Sequence, residues 1–174
     1  MTRLHVVLAA ALAAGLAGCA SPAPMPPGPG QTFDPLVWFE GRTRNEGVVR
    51  PIVGDAQRLQ VDGVGRRLPD GSLQFEQVIR RDADVSRRTW RVAAAGPDRW
   101  TLSGTDMVGR GQGWREGADV ILSWRRRGGD LQARQQLRLA PDGRLTNRMT
   151  LSRMGVTLAH IDETIVRRDG APAP

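Results

Sequence analysis

The chain has no lysine and no tyrosine, one cysteine, two histidines and only 5% aromatic residues among 174. Each shortage excludes something. A secreted domain with Cys19 alone cannot form an internal disulfide, and a free thiol there would be a liability. A zinc site needs three or four His, Cys or carboxylate ligands, and His160 with scattered acids falls short of that. His5 lies in the leader described below, so His160 is the remaining histidine for nucleophilic or haem chemistry. No serine motif accompanies it. Glycoside cleavage needs two carboxyls across a cleft with pKa values pushed apart. Glu40, Glu76, Asp106 and Glu116 show no such arrangement, and few aromatics remain to stack a sugar. The five tryptophans, Trp38, Trp90, Trp100, Trp114 and Trp124, read as core. The expectation is a non-enzymatic protein with no cofactor and no metal.

The amino terminus carries an address. Arg3 gives a positive start, Leu4 to Ala14 is largely apolar and too short to span a bilayer comfortably, and Leu16-Ala17-Gly18 precedes Cys19. Those are the marks of a secretory signal over residues 1–18. The Cys directly after Leu-Ala-Gly resembles a bacterial lipoprotein signal, which implies acylation of the Cys19 thiol and of the new amino terminus. Lipidation also consumes the one sulfur that would otherwise be exposed, and several acyl chains hold a protein on a membrane essentially permanently. Ala20 follows in place of the Asp that typically retains such lipoproteins at the inner membrane. The resemblance therefore implies the periplasmic face of an outer membrane. Residues 19–32 continue as a Pro/Gly/Ser-rich tether, and residues 169–174 as a similar tail, neither able to build a core. About 135 residues remain between them, enough for one domain.

All 25 basic residues are arginine against 18 acids, a formal net charge of +7. A basic surface suits anionic partners such as lipid head groups, and the address argues against nucleic acid. In Arg87-Arg88-Thr89-Trp90-Arg91-Val92 and Arg144-Leu145-Thr146-Asn147-Arg148-Met149, arginines mostly alternate with apolar residues. Alternation places them on the outer face of a sheet.

From Leu36 onward helical periodicity is almost absent and short alternating runs dominate. Leu73, Phe75 and Ile79 share one parity, as do Trp90 and Val92, then Val120, Leu122 and Trp124, then Ala133, Leu137 and Leu139, then Leu145, Met149 and Leu151. Turn signals separate them at Pro69-Asp70-Gly71, Gly96-Pro97-Asp98, Gly128-Gly129-Asp130 and Pro141-Asp142-Gly143. The pattern predicts an all-β domain over residues 33–168, a single antiparallel up-and-down barrel of about 8–10 strands. Closure removes its edges and suits a monomer. The glycine-rich stretch from Gly104 to Trp114 lies between two strand-like flanks with no helix after it, so it reads as a bent or bulged strand and not as a phosphate cradle.

Three segments resemble a family of proteobacterial lipoproteins known only as a domain of unknown function. They are Phe39-Glu40-Gly41, the run Gly104 to Gly113, and Asp142 to Arg148 leading into Ser152-Arg153-Met154-Gly155-Val156. The likeness covers most of residues 33–167 and is weakest over Leu131 to Leu139. It implies a compact, lipocalin-like envelope protein and brings no catalytic residues.

The informative residues are amides on apolar faces. Gln77 shares parity with Leu73 and Phe75, Gln135 lies between Ala133 and Leu137, and Asn147 sits with Leu145 and Met149. Each must find a hydrogen-bond partner when buried, in turn backbone or in a ligand. A mostly apolar cavity with a few oriented amides is the composition of a small-ligand pocket. The leading expectation is therefore a binding module for a lipid or other small apolar ligand, with Asn147, Gln135 and Gln77 lining it. The alternative is a structural or interaction lipoprotein with a filled barrel, meeting envelope partners or anionic lipid through its Arg-rich face.

Overall fold

The computed structural model describes residues 30–128 and 130–168. The leader, Cys19, most of the tether and the tail at 169–174 lie outside the described residues. One short helix precedes ten strands: α1 (Pro35–Trp38), β1 (Gly41–Pro51), β2 (Gln57–Arg67), β3 (Leu73–Arg81), β4 (Asp84–Ala94), β5 (Arg99–Gly104), β6 (Met107–Glu116), β7 (Asp119–Arg126), β8 (Leu131–Leu139), β9 (Leu145–Arg153) and β10 (Val156–Arg167). Each strand pairs antiparallel with the next, and β10 returns to β1, closing the barrel. All ten pairings fall within residues 41–167, so the sheet needs nothing from outside the domain to satisfy its edges.

Alternation builds the interior. Leu73 and Phe75, Trp90 and Val92, Leu122 and Trp124, Ala133 and Leu137, and Leu145 and Met149 are all buried in one core. Trp114 departs from the expected tryptophan core: it stands on the outer face, where its Nε1 donates to Glu116 Oε1 at 2.7 Å. Its parity opposes that of Gly111 and Gly113, which are the inward positions of β6. The glycine stretch bends as expected, with a register break between Val108 and Gln112 and Gly109 at φ +68°.

The two ends of the barrel differ. At one end the turns follow Pro-Asp-Gly chemistry: Asp70 Oδ1 accepts from the Ser72 amide at 3.2 Å, and Asp142 Oδ1 from the Arg144 amide at 3.1 Å. The same end is closed by α1, a helical turn that periodicity did not anticipate. Asp34 caps it by accepting from Leu36 N at 2.9 Å, and Pro35 occupies its first turn. Phe33, Leu36 and the fully buried Trp38 enter the core as a plug. Arg67 and Arg115 tie it down by donating to the carbonyls of Leu36 (2.7 Å) and Phe33 (3.0 Å). Gly65 is required there, because a Cβ would lie 1.8 Å from the Phe39 carbonyl oxygen. Gln31 joins the sheet at this end, its amide donating to Leu139 O at 2.8 Å. The opposite end, where β1–β2, β3–β4, β5–β6, β7–β8 and β9–β10 turn, has no plug among the described residues and forms the mouth.

Candidate functional site

A belt of polar side chains crosses the lumen at mid-height. Register positions it: Asn45 on β1 lies one strand from Glu163 on β10, which pairs with Asn147 on β9, while Gln77 on β3 pairs with Arg88 on β4. Gly47 sits opposite Glu163, and a side chain there would fall 2.8 Å from Glu163 Cγ. The missing Cβ leaves room for the carboxyl.

Two groups of contacts make up the belt. Glu163 accepts from Asn45 Nδ2 at 3.1 Å and from Asn147 Nδ2. Arg88 donates from Nε to Gln77 Oε1 at 2.5 Å and from Nη1 to Asp106 Oδ2 at 3.4 Å, with its guanidinium 4.5 Å from the centre of the Trp90 ring. Trp90 Nε1 donates to Asp106 Oδ1 at 2.9 Å, and Arg126 completes the set 3.9 Å from the same carboxylate. Burial pushes the Glu163 carboxyl above its usual range, outweighing the Asn45 hydrogen bond, the charge of Arg88 and the Asn147 hydrogen bond. Burial also holds Arg88 below its usual value, against the attraction of Asp106 and Glu163. Its intrinsic basicity is high enough that it stays a cation.

Asn45 Oδ1, Asn147 Oδ1 and Gln135 Oε1 are buried without a hydrogen-bond partner. Both asparagines turn their amide nitrogen to the carboxyl, so an oxygen of either would meet Glu163 only if its amide turned and gave up that donor. Arg88 and Arg126 bring two guanidinium groups to the belt against the carboxyls of Asp106 and Glu163, and burial disfavours the charge of Glu163.

Arg88 and Glu163 line chambers on both sides of the belt. Toward the plug lies a cavity of about 40 Å³, walled by Phe39, Leu73, Phe75, Trp90 and Leu137, with Gln135 projecting into it. That space holds a few waters and no lipid chain. Toward the mouth lies a chamber of about 150 Å³, with apolar walls from Val49, Leu59, Val61, Ile79, Met149 and Ile161, polar residues Arg81, Asp84 and Ser86 also lining it, and a floor that includes Arg88, Arg126 and Glu163. Apolar walls above a pair of arginines suit an amphipathic molecule whose acidic group points inward.

Of the amides expected to line a pocket, Gln77, Gln135 and Asn147 are all buried and inward. Gln77 and Asn147 serve the belt; Gln77 and Gln135 also line the chamber toward the plug, whereas Asn147 lines neither chamber. Sequence reasoning passed over Glu163, Arg88 and Asn45. Asp162 and Glu163 point to opposite faces, Asp162 outward to Arg50 and Arg148, and Glu163 inward. The parity of Glu163 with Ile165, and of Arg88 with Trp90 and Val92, carried the signal. Arg88 and Arg126 also correct the assignment of the arginines to the outer face. His160 is outward beside Thr150, with 3.3 Å between its Nδ1 and the hydroxyl. Glu40 and Glu76 pair outside with Arg67 and Arg66, and no group of three His, Cys, Asp or Glu able to hold a metal occurs among the described residues.

A closed ten-stranded lipocalin-like barrel with a polar belt inside defines the class of protein. Residues 13–167 match the family described as protein of unknown function (DUF3833), and the chain belongs to it. No curated protein matches the chain. Among solved structures it is similar to the S-type phycobiliprotein lyase CPES from Guillardia theta, with a TM-score of 0.63 at 11% identity over 78% of this chain and 92% of that one. Rv2717c from M. tuberculosis is similar too, with a TM-score of 0.57 at 14% identity over 78% of this chain and 99% of that one. At such identities the likeness establishes the fold.

Proposed function

We propose that the protein is a non-enzymatic binding module, held on the periplasmic face of the outer membrane by a lipidated Cys19 and acting as a monomer. It takes a lipid or other small ligand into the mouth chamber, with the apolar body against Val61, Ile79 and Met149 and an acidic head on Arg88 and Arg126. The observation that carries this reading is the pair of arginines, Arg88 and Arg126, beneath apolar walls. The likeness to a phycobiliprotein lyase supports the barrel fold and nothing narrower.

The test is native mass spectrometry of the chain from Ala20 onward, exported to the periplasm and gently purified. The expected result is an added mass that organic extraction removes and that Arg88→Met abolishes, while Gln135→Leu, in the closed chamber, keeps it. A bare mass in the wild type, or an added mass unchanged by Arg88→Met, overturns the proposal for the mouth chamber. For the anchor, Cys19→Ser in the full chain is expected to abolish incorporation of labelled palmitate; undiminished labelling refutes lipidation at Cys19. A second reading, a packed interaction barrel, is favoured by the small volume of the closed chamber, about 40 Å³. A bare wild-type mass shifts the weight to it.

A further inference from the structure

The large hydrophobic side chains that the fold leaves exposed are not scattered. Ile52 (54% exposed) and Val53 (89%) sit in the β1–β2 turn, Val85 (63%) and Val108 (45%) flank the β3–β4 and β5–β6 turns, Met154 (93%) sits in the β9–β10 turn, and Val156 (63%) opens β10 just after it. Leu158 follows on β10, and Val37 on α1 is the exception at the closed end. Single exposed apolar residues need no explanation, but turns are ordinarily polar, and here four of the five mouth turns carry an exposed apolar residue in the turn or within two residues of it. Met154 makes the point most sharply. It is at φ +50°, a left-handed conformation that favours Gly, Asn or Asp, yet the position holds an unbranched hydrophobe in water.

Unpaired charge gathers at the same end. Along the barrel wall most arginines are matched: Arg44 and Arg80 with Asp62, Arg50 and Arg148 with Asp162. Arg58, Arg87, Arg110 and Arg153, near the mouth ends of β2, β4, β6 and β9, are exposed and make no ion pair or hydrogen bond with the described residues. Arg99 and Arg168 are the comparable residues at the other end. Two features thus coincide around one opening: separate apolar tips on turns, and free guanidinium groups set just behind them.

We propose that the mouth rim docks onto an anionic lipid surface, with the tips of Val53, Val85 and Met154 entering the acyl boundary while Arg58, Arg87 and Arg153 meet phosphate groups. Separate tips around a hole do not form the continuous, close-packed patch of a protein interface, but they suit a deformable phase that closes around each one. Free arginines behind the tips complement lipid phosphates, and guanidinium matches phosphate geometry well. Docking puts the mouth chamber in line with the membrane interior, a route for an amphipathic molecule that need not cross water. The surface stands on its own observations, whatever the lumen holds.

The experiment is co-sedimentation of the chain from Ala20 onward with vesicles of phosphatidylcholine alone or with 30% phosphatidylglycerol. Expected are binding to the anionic vesicles that weakens as salt rises, about a tenfold loss in Val53→Asp/Met154→Asp, and a similar loss in Arg87→Gln/Arg153→Gln. Val37→Asp/Arg99→Gln, at the closed end, is expected to bind as the wild type does. All four substituted positions in the two rim variants are exposed, so circular dichroism and melting should match the wild type. A polarity-sensitive dye on Met154→Cys should shift to the blue with anionic vesicles, which separates insertion from attraction by charge alone. No binding to anionic vesicles, rim variants that bind fully, or closed-end variants that lose as much would overturn the proposal. So would rim variants that instead lose self-association or a cross-link to an envelope protein, since the rim would then be a protein interface.

Discussion

Replacing Glu163 by Gln tests the electrostatics of the belt. The folded carboxyl titrates above its ordinary value, with burial the largest cause. Between the ordinary value and the folded one, the native state keeps a proton that the unfolded chain has released. Protons bound by the unfolded state minus those bound by the native state is then negative, so this group's contribution to stability falls as pH rises through that window. Below the ordinary value both states are protonated and the penalty is absent. Glutamine keeps the shape, removes the titration, and keeps an oxygen to accept from one asparagine, while its amide donates to the other once that side chain turns its Oδ1 inward. The variant should match the wild type near pH 4 and gain on it with rising pH. Each unit by which the folded value exceeds the ordinary one adds about 1.4 kcal/mol to that gain, equivalent to roughly 3–6 °C in Tm for a domain of this size. The assay is urea denaturation of both proteins from pH 4 to 8.5, followed by tryptophan emission. Only the difference between them is read, so that the carboxylates whose values are lowered, Asp70, Asp119 and Asp142, cancel. A difference that stays flat across the range, or one that favours the wild type as pH rises, would refute the account and make Glu163 a well-paired anion.

Asp119 runs the other way. Its burial is outweighed by hydrogen bonds from Arg138 (2.7 Å to each oxygen) and Gln136 (2.5 Å), and by the charge of Arg138. Its value is therefore lowered, and the stability it supplies is present above the ordinary carboxyl value and lost as pH falls through the folded one. Asp119→Asn should cost about 2 kcal/mol at pH 7, with the cost shrinking in acid, as measured by denaturation midpoints. Gly65→Ala should cost about 1–3 kcal/mol, because its Cβ meets the Phe39 carbonyl. It should also shift tryptophan emission to the red as Trp38 gains water; an unshifted spectrum at wild-type stability would mean that the plug does not depend on that close approach.

Strand identity and barrel closure were legible because the side-chain period is two and one face is buried, so Leu145, Asn147, Met149 and Leu151 announce their orientation together. The bulge at Gly109 was legible from the missing side chains. Two things were not. The turn of helix at Pro35–Trp38 is too short to show a period of 3.6, and only its cap, Asp34-Pro35, marks it. Charged members of the belt were hidden by frequency: among so many outward arginines, Arg88 is distinguished only by its parity with Trp90. Glu163 needed the third dimension as well, since Asn45 and Asn147 lie 118 and 16 residues from it in sequence.

An even number of strands in a closed meander has a consequence for how the molecule can be held. The first strand leaves the plug and the last returns to it, with Arg168 N donating to Arg42 O at 2.9 Å and Gln31 bridged to Leu139 at the same pole. Any leash, tag or surface coupling made through either end therefore pulls on the plugged pole. The opening points away from its own point of suspension. A strand of 11 residues, rising about 3.3 Å each and tilted by about 40°, sets the two poles roughly 28 Å apart. A chain immobilised by either end leaves its aperture free, so surface-based binding measurements on this protein can be made without blocking the face they are meant to probe.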